Sequence, residues 1–214
     1  MKDQLIRERN ALYGNVVMRA LQRRDFEVYY THTKEEALEQ AMELIPKGDV
    51  VGWGGSLTIQ EIGLIDKLYE EGYTVMDRDK VPAEEKRKFM KRIVAEADTF
   101  ITSANAITED GQLLYVDGNG NRIASIAYGA DNIVVIAGLN KVVRNMDDAI
   151  YRIRTVAGPL NARRFPEMNT HCKHTGKCGE CFRYDCICNT WYVVNHCNPK
   201  KRIKIVLVGE ELGF

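Results

Sequence analysis

The chain has 214 residues, 45% of them hydrophobic, so it is long enough to bury a sizeable core without disulfide bonds. Its 30 basic and 30 acidic residues give a formal net charge of zero. This balance gives no support for a nucleic-acid partner or for an anionic membrane surface, so a small molecule is the expected partner.

The N-terminal stretch MKDQLIRERNALYGNVV is charged and amphipathic, and it lacks the apolar centre of a signal peptide. No later apolar run is long enough to span a bilayer. We therefore expect a cytoplasmic protein. In that reducing compartment clustered cysteines are more often metal ligands or redox centres than structural disulfides.

Apolar runs alternate with amphipathic stretches along the chain, which is typical of an α/β protein. The predicted order is helix 3–23, strand FEVYYT, helix THTKEEALEQAMELI, strand DVVGW, helix 58–70, strand 73–76, helix 83–97, strands 98–102, 112–116 and 132–137, helix 146–157 and strand 203–208. Thr33 and Glu36 have the spacing of a capping box. The order predicts a mostly parallel sheet flanked by helices, in a single domain over residues 1–214. The regular pattern ends near Gly158–Pro159.

The stretch VVGWGGSLTIQEIGL is a candidate anion-binding loop. A predicted strand runs into Gly54, Gly55 and Ser56, and a helix is predicted from about Thr58, which has capping-box spacing to Glu61. Glycines let a ligand approach the backbone, while free amides and the helix dipole favour phosphate or carboxylate. The alternative is a tight strand-to-helix turn without a ligand.

Polar residues follow two later predicted strands. Asn105, Thr108 and Glu109 come after the strand at 98–102, and Asn140 and Lys141 come after IVVIAG. Ligands of open α/β sheets bind at the carboxyl ends of the strands. Lys141 is therefore a candidate for holding a substrate anion, and Glu109 for a base or nucleophile. The alternatives are a solvated surface lysine and an exposed turn carboxylate.

Four segments resemble the LUD-domain family, often labelled lactate utilization protein. They are the run from Gly54 to Gly63, SANAITEDGQLLYVDGNGNRIA, VVIAGLNKVV and VLVGEELGF, and the chain is similar to the short form that ends in a cysteine motif. The resemblance implies a NagB/RpiA/CoA-transferase-like fold, similar to ribose-phosphate isomerases, glucosamine-phosphate deaminases and formyltetrahydrofolate cyclo-ligase. It also implies a ligand cleft lined by Gly54, Gly55, Ser56, Thr58, Asn105, Glu109 and Lys141. Thr108 and Asn140 directly precede Glu109 and Lys141 in the sequence and are further candidates for ligand binding.

The stretch HCKHTGKCGECFRYDCIC contains five of the six cysteines of the chain. Cys172, Cys178, Cys181 and Cys188 form a candidate metal-ligand set within residues 170–190, and Cys178 and Cys181 have the two-residue separation common in metal sites. An iron–sulfur cluster is slightly favoured over zinc, because a structural zinc site more often uses two such pairs. His171, His174 and Cys186 are reserve ligands, and Cys197 is too distant. Buried apolar cysteines and a redox dithiol pair are the alternatives.

Two hypotheses of function follow. In the first, the chain binds or transforms a small carboxylate or phosphorylated metabolite, with a CoA-transferase-like or isomerase-like use of Glu109 as one variant. In the second, the cysteine site makes the chain a redox or metal-sensing accessory subunit of an iron–sulfur oxidoreductase. The lactate label and this oxidoreductase partner are implied by the family resemblance alone.

Overall fold

The computed structural model of the chain describes residues 1–181 and 185–214. Within these residues there are ten strands: β1 (Glu27–Thr31), β2 (Val50–Trp53), β3 (Thr74–Met76), β4 (Thr99–Thr102), β5 (Ala106–Thr108), β6 (Leu113–Asp117), β7 (Asn132–Gly138), β8 (Val142–Val143), β9 (Thr190–Val194) and β10 (Ile203–Val208). The same residues form nine α-helices: α1 (Lys2–Gln22), α2 (Lys34–Glu43), α3 (Leu57–Glu61), α4 (Leu64–Glu70), α5 (Lys86–Glu96), α6 (Asn121–Ala127), α7 (Met146–Arg152), α8 (Gly158–Ala162) and α9 (His171–Thr175). None of these helices combines the length and the apolar character that a membrane span needs.

The main sheet has six parallel strands in the order β1-β10-β7-β4-β2-β3. A second sheet has the order β8-β5-β6-β9, in which β6 is antiparallel to both neighbours and β5 is parallel to β8. The main sheet confirms the prediction of a mostly parallel sheet flanked by helices.

Both faces of the main sheet are covered, which explains the continuous apolar runs of its central strands. Every residue of β4 and β7 is buried. Successive residues of β7 point to opposite faces, so Ile133 and Val135 pack in one core cluster with α1, α5 and α6. Val134 and Ile136 pack in the other cluster with α2, α3 and α4.

The start of α2 agrees with the predicted capping box. The Thr33 hydroxyl accepts a hydrogen bond from the Glu36 amide at 3.3 Å. The Glu36 carboxylate in turn accepts one from the His32 amide at 2.7 Å. Thr33 thus satisfies an amide that the first turn of a helix leaves without a partner, whereas Glu36 reaches the amide of His32, one residue before the N-cap.

The predicted helix 58–70 is two helices, because Gly63 between α3 and α4 adopts a left-handed conformation with φ of 74°. The predicted capping box of Thr58 and Glu61 is wrong. Ser56, not Thr58, is the N-cap residue of α3, and it makes no side-chain cap. The Glu61 carboxylate instead accepts a hydrogen bond from the Gly213 amide at 2.6 Å.

The predicted helix 146–157 is longer than expected, because the chain stays helical from α7 through a π-helical turn (Ile153–Ala157) into α8. Pro159 lies in the first turn of α8, where a missing amide hydrogen costs little. The stretch 117–121, with the sequence DGNGN, is typical of a turn, and in the structure it leads from β6 into the short helix α6. The predicted cysteine segment 170–190 is described except for residues 182–184, which lie outside the described residues.

Candidate functional site

Lys141 is a buried lysine at the carboxyl edge of the main sheet. It ends a short 3-10 turn after β7, and only 2% of it is exposed. Its Nζ donates hydrogen bonds to Thr58 Oγ1 at 2.8 Å and to Ser103 Oγ at 2.9 Å. Thr58 belongs to α3, after β2, and Ser103 follows β4, so three neighbouring strands of the sheet bring these groups together.

The surroundings of Lys141 disfavour its charged form. Burial is the largest cause, and the positive charges of Arg152 and Arg122 act in the same direction, so the pKa of Lys141 falls to about 7. Glu61 opposes this shift as the smallest of the four contributions. Near neutral pH both the amine and the ammonium form of Lys141 are populated.

Arg152 is the second buried cation of the cluster, with 8% of it exposed. From α7 its Nε donates to the Asn140 carbonyl at 3.1 Å, and its Nη1 donates to the Asn105 carbonyl at 2.7 Å. Burial lowers the pKa of Arg152. Within the described residues, no carboxylate forms an ion pair with Arg152 or with Lys141.

Arg122, by contrast, already has a counter-ion. Its guanidinium pairs with the Asp117 carboxylate at 3.0 Å and donates to Asn105 Oδ1 at 2.6 Å and to two backbone carbonyls. Asn105 also accepts a hydrogen bond from the Val116 amide at 3.0 Å. Arg122 and Asn105 therefore form one side of the cluster, and Lys141 and Arg152 are its two basic side chains without an ion pair among the described residues.

The glycine loop lies against the arginine side chains. A Cβ on Gly54 would be 3.5 Å from the Arg122 side chain, and one on Gly55 would be 3.7 Å from Arg78 Nη1. Ser56 is buried and leads into a helix of only five residues, too short to supply much of a dipole. The cationic side chains, rather than the helix, supply most of the positive charge near this loop.

Two of the predicted polar residues have partners outside the Lys141 cluster. Thr108 is the last residue of β5 in the second sheet, and Glu109 follows it. Thr108 Oγ1 donates a hydrogen bond to the Asp110 carboxylate and accepts one from the Gln112 amide. Glu109 accepts a hydrogen bond from the Tyr13 hydroxyl at 2.7 Å, and no described hydrogen bond joins it to the Lys141 cluster. The expectation that both lie at the carboxyl ends of parallel main-sheet strands was wrong, whereas the role of Glu109 as base or nucleophile stays a prediction.

Asn140 holds the last residues of the chain over Lys141. Its side chain accepts the Leu212 amide at 3.2 Å and donates to the carbonyls of Leu212 and Gly213. Gly213 has a φ of 55°, and a Cβ there would be 2.5 Å from Thr58 Oγ1 and 3.3 Å from Lys141 Nζ. Only glycine lets the backbone cover the lysine so closely.

The family model described as the LUD domain matches residues 15–208. The chain belongs to the LUD-domain family. This membership agrees with the four sequence segments that resemble the family. No curated protein matches the chain in sequence.

The LUD domain is similar in fold to a crystal structure of a DUF162 family protein from Deinococcus radiodurans. The TM-score is 0.54 at 10% identity, over 93% of this chain and 98% of that one. The tetrameric eIF2B-beta2-delta2 complex from C. thermophilum has a TM-score of 0.42 at 16% identity, over 83% and 55% of the two chains. The 5-methylthioribose 1-phosphate isomerase from Pyrococcus horikoshii OT3 has a TM-score of 0.39 at 11% identity, over 73% and 49%.

The cysteine segment of the LUD domain forms a cavity of about 180 Å³ beside the helical stretch that carries Arg152. Its lining includes Ile153, Gly158 and Trp191, together with five cysteines: Cys172, Cys178, Cys181, Cys186 and Cys188. A Cβ on Gly158 would be 3.5 Å from Cys188 Sγ. All six cysteines of the chain are free thiols, and Cys197 lies apart from the cavity, where its thiol donates a hydrogen bond to the Pro199 carbonyl at 3.2 Å.

The thiols of this cavity are close enough to affect one another. Burial raises the pKa of the Cys188 thiol to about 12, with smaller contributions from the four other cysteines of the cavity. Burial and Cys186 raise the pKa of Cys181. In the part of the chain that the structure describes, no three His, Cys, Asp or Glu side chains are already arranged as a metal-ligand set. The two histidines predicted as reserve ligands do not line the cavity. The His171 ring packs against Gly179, and His174 Nε2 is hydrogen-bonded to Asn169 Oδ1.

Sequence reasoning missed Ser103, Arg122 and Arg152. Ser103 directly follows a predicted strand in the segment TSANA, and its position at a strand end was a usable signal. Arg122 and Arg152 lie on helices, and no local pattern separates them from surface arginines. Their burial depends on contacts between residues far apart in the sequence.

Proposed function

We propose that this LUD-domain protein binds a small anionic metabolite, a carboxylate or a phosphorylated compound, at the Lys141 cluster beside the glycine loop. The observation that carries the proposal is a pair of buried cations, Lys141 and Arg152, without a carboxylate partner among the described residues. Buried charges are costly unless they are paired, and a bound anion supplies the missing counter-charge.

Lys141 would hold the ligand and exchange a proton beside it. Thr58 Oγ1 and Ser103 Oγ orient its Nζ, and a pKa of about 7 lets Lys141 accept or release a proton near neutral pH. An incoming anion favours the ammonium form, so Lys141 becomes a stronger anion ligand as the complex forms. Because Gly213 covers Lys141, we expect Leu212 and Gly213 to shift when the ligand enters.

The test is a thermal-shift screen of small carboxylates and phosphorylated metabolites, followed by calorimetry on each hit. Lys141→Met and Arg152→Met each remove one cation, and we expect affinity to fall by roughly 1.5 to 3 kcal/mol, as for lost charge-assisted hydrogen bonds. Lys91→Met, which removes an exposed lysine of α5, is the matched control. Unchanged affinity in a folded Lys141→Met protein would remove Lys141 from the site.

We propose as a second function that the cysteine cavity holds a metal centre, which supports the accessory redox or metal-sensing hypothesis. The supporting observation is that five thiols line one cavity. Cys172, Cys178, Cys181 and Cys188 would be the ligands, and Cys186 brings a fifth thiol to the same wall. Four thiolates suit an iron–sulfur cluster, which would supply one-electron chemistry, or zinc, which would be structural.

The metal proposal is tested on protein purified without oxygen, by measuring iron, sulfide and zinc and by counting thiols after denaturation. We expect iron and sulfide rather than zinc, as the sequence spacing slightly favours. Zinc alone at one ion per chain would leave a structural site and remove the redox role. Metal-free protein with all of its thiols titratable would refute the centre altogether.

A further inference from the structure

The segment that follows β10, Gly209–Gly213, lies over the cluster of buried cations, and we call it the strap. Its first part is tied to the rest of the protein. The Gly209 amide donates a hydrogen bond to the Thr31 carbonyl at 2.8 Å, and the Gly209 carbonyl accepts one from the Asn10 side chain at 2.7 Å. Leu212 is 3% exposed and packs in the core cluster that contains α2, α3 and α4. Because moving Leu212 would expose a buried leucine, the strap is anchored up to this residue.

The end of the strap is held less firmly. The Gly213 amide donates a hydrogen bond to the Glu61 carboxylate at 2.6 Å, and the Gly213 carbonyl accepts one from the Asn140 side chain at 3.3 Å. Glu61 is exposed, so water can replace it as the partner of the amide at little cost. Gly213 has no side chain to pack against the core. It can therefore move away while Leu212 stays in place.

Gly213 fills the space directly beside Lys141. A Cβ on Gly213 would be 2.5 Å from Thr58 Oγ1 and 3.3 Å from Lys141 Nζ. The strap can lie this deep because the residue beneath it is also a glycine: a Cβ on Gly138 would be 2.7 Å from the Leu212 amide nitrogen. An anion that contacts Lys141 Nζ beside Thr58 has to take the space that Gly213 occupies. A closed strap and a bound anion therefore exclude each other.

We propose that the strap is an autoinhibitory cover: Gly213 closes the Lys141 cluster in the free protein, and an anion binds only after the hydrogen bonds of Gly213 to Glu61 and Asn140 have broken. This inference rests on the proposed function, because it describes how access to that site is controlled. The measured affinity is then the affinity of the open form, reduced by the fraction of molecules that are open. Weakening the contacts of Gly213 should expose Lys141 and strengthen anion binding.

The first measurement needs no ligand. Acetic anhydride acylates uncharged amines, so at pH 8 it labels Lys141 only in molecules whose strap is open. Peptide mass spectrometry gives the rate relative to Lys91, an exposed lysine of α5. In the wild type we expect slower labelling of Lys141, although its pKa of about 7 would make it the more reactive amine once uncovered. Labelling of Lys141 as fast as that of Lys91 would show that the strap is not closed, which refutes the proposal.

Two variants open the strap in different ways. Glu61→Ala removes the partner of the Gly213 amide. Gly213→Ala adds a methyl group against Thr58 Oγ1, at a φ of 55° that alanine rarely adopts. In each variant we expect the ratio of Lys141 to Lys91 labelling to rise at least about tenfold.

The matched control is Glu39→Ala, at an exposed glutamate of α2, and we expect it to leave the labelling ratio unchanged. Urea denaturation checks that each variant is folded under the labelling conditions. If folded Glu61→Ala and Gly213→Ala proteins both protect Lys141 as the wild type does, the strap is not its cover.

The second measurement is the binding of inorganic phosphate and of acetate by calorimetry. Because the closed strap no longer competes, we expect Glu61→Ala and Gly213→Ala to bind the better of these two probes at least about threefold more tightly than the wild type does. Gly213→Ala changes no charge, so its gain cannot come from the loss of a carboxylate near the site. Faster labelling of Lys141 with unchanged or weaker anion binding would overturn the autoinhibition.

Failure of the proposed function gives a different result. If neither the wild type nor the two strap variants bind an anion in a way that Lys141→Met abolishes, the proposed function fails, and the inference that rests on it fails as well. If the wild type binds an anion that Lys141→Met loses, but Glu61→Ala and Gly213→Ala match the wild type in labelling and in affinity, only the strap proposal is refuted.

Discussion

Lys141 shows how far a fold can change the chemistry of one side chain. A lysine is ordinarily charged and exposed, yet Lys141 is held among hydroxyls and arginines with a pKa of about 7. The sequence predicted a charged residue at a strand end. It could not predict the burial of Lys141, which depends on Gly213 and Arg152, 72 and 11 positions along the chain.

The stability of the protein should report this pKa. Between about pH 7 and 10 the unfolded chain keeps a proton on Lys141 that the folded chain has lost, so the free energy of unfolding should rise with pH, by up to about 1.4 kcal/mol per pH unit from this residue. Urea denaturation of the wild type and of Lys141→Met across this range measures the difference. A constant difference would mean that Lys141 titrates as an ordinary lysine.

Ligand binding should take up a proton at the same residue. An anion beside Lys141 raises its pKa from about 7, so at pH 8 the amine gains a proton as the complex forms, and affinity decreases as the pH rises further. Calorimetry in two buffers of different ionisation enthalpy measures the uptake. We expect no such uptake in Lys141→Met, and wild-type binding without buffer dependence would contradict the assignment.

At the scale of elements, the sequence located the main-sheet strands well, because strands covered on both faces are continuous apolar runs. It missed β5 and β8, which have three and two residues, and also β9, and all three depend on their partners in the second sheet for definition. The family resemblance implied one cleft for the glycine loop and Lys141, and in the structure both lie at the edge where the carboxyl ends of the parallel strands meet. The sequence pattern ended a predicted helix at residue 157, before Pro159. The chain stays helical through Pro159 because proline is tolerated in the first turn of a helix.

The glycine loop can be tested by adding side chains to it. A Cβ on Gly55 meets only the far end of Arg78, at an ordinary contact distance, so Gly55→Ala and Gly55→Val should both fold. Valine would fill the space beside Arg78, and we expect it to reduce anion affinity by at least about tenfold, with a smaller loss for alanine. A folded Gly55→Val protein with wild-type affinity would place the ligand elsewhere.

At the scale of the whole molecule, most of the cysteine segment packs apart from the two main core clusters, although Cys188 also packs against a small cluster of the second sheet and α7. The two main core clusters lie on the faces of the sheet and include none of the cavity cysteines. Cys172 and Ile187 belong instead to a small cluster with Ala162. The chain thus has a large apolar core that needs no metal and a short segment with little apolar support of its own.

Loss of a metal should therefore loosen one segment and spare the rest. In Cys178→Ser we expect metal content to fall, and protease cleavage within about residues 170–190 to increase, because metal binding and local folding are coupled. The unfolding transition of the core should stay close to that of the wild type. Cys197→Ser, outside the cavity, is a control for metal content only, because Cys197 is itself packed in the core. A collapse of the whole fold in Cys178→Ser would show that the two units are not independent.

The π-helical turn Ile153–Ala157 joins the two candidate sites of the molecule. A π-turn fits one residue more into a helix than the α-helical repeat does. Here the extra residue lies between Arg152, beside Lys141, and Gly158, beside Cys188. Removing one exposed residue, such as Thr155, should therefore restore the regular α-helical repeat and leave the helix after it in nearly its present orientation. We therefore expect that a relative one residue shorter at this turn keeps Arg152 and Gly158 beside their present partners, with regular α-helix in place of the π-turn.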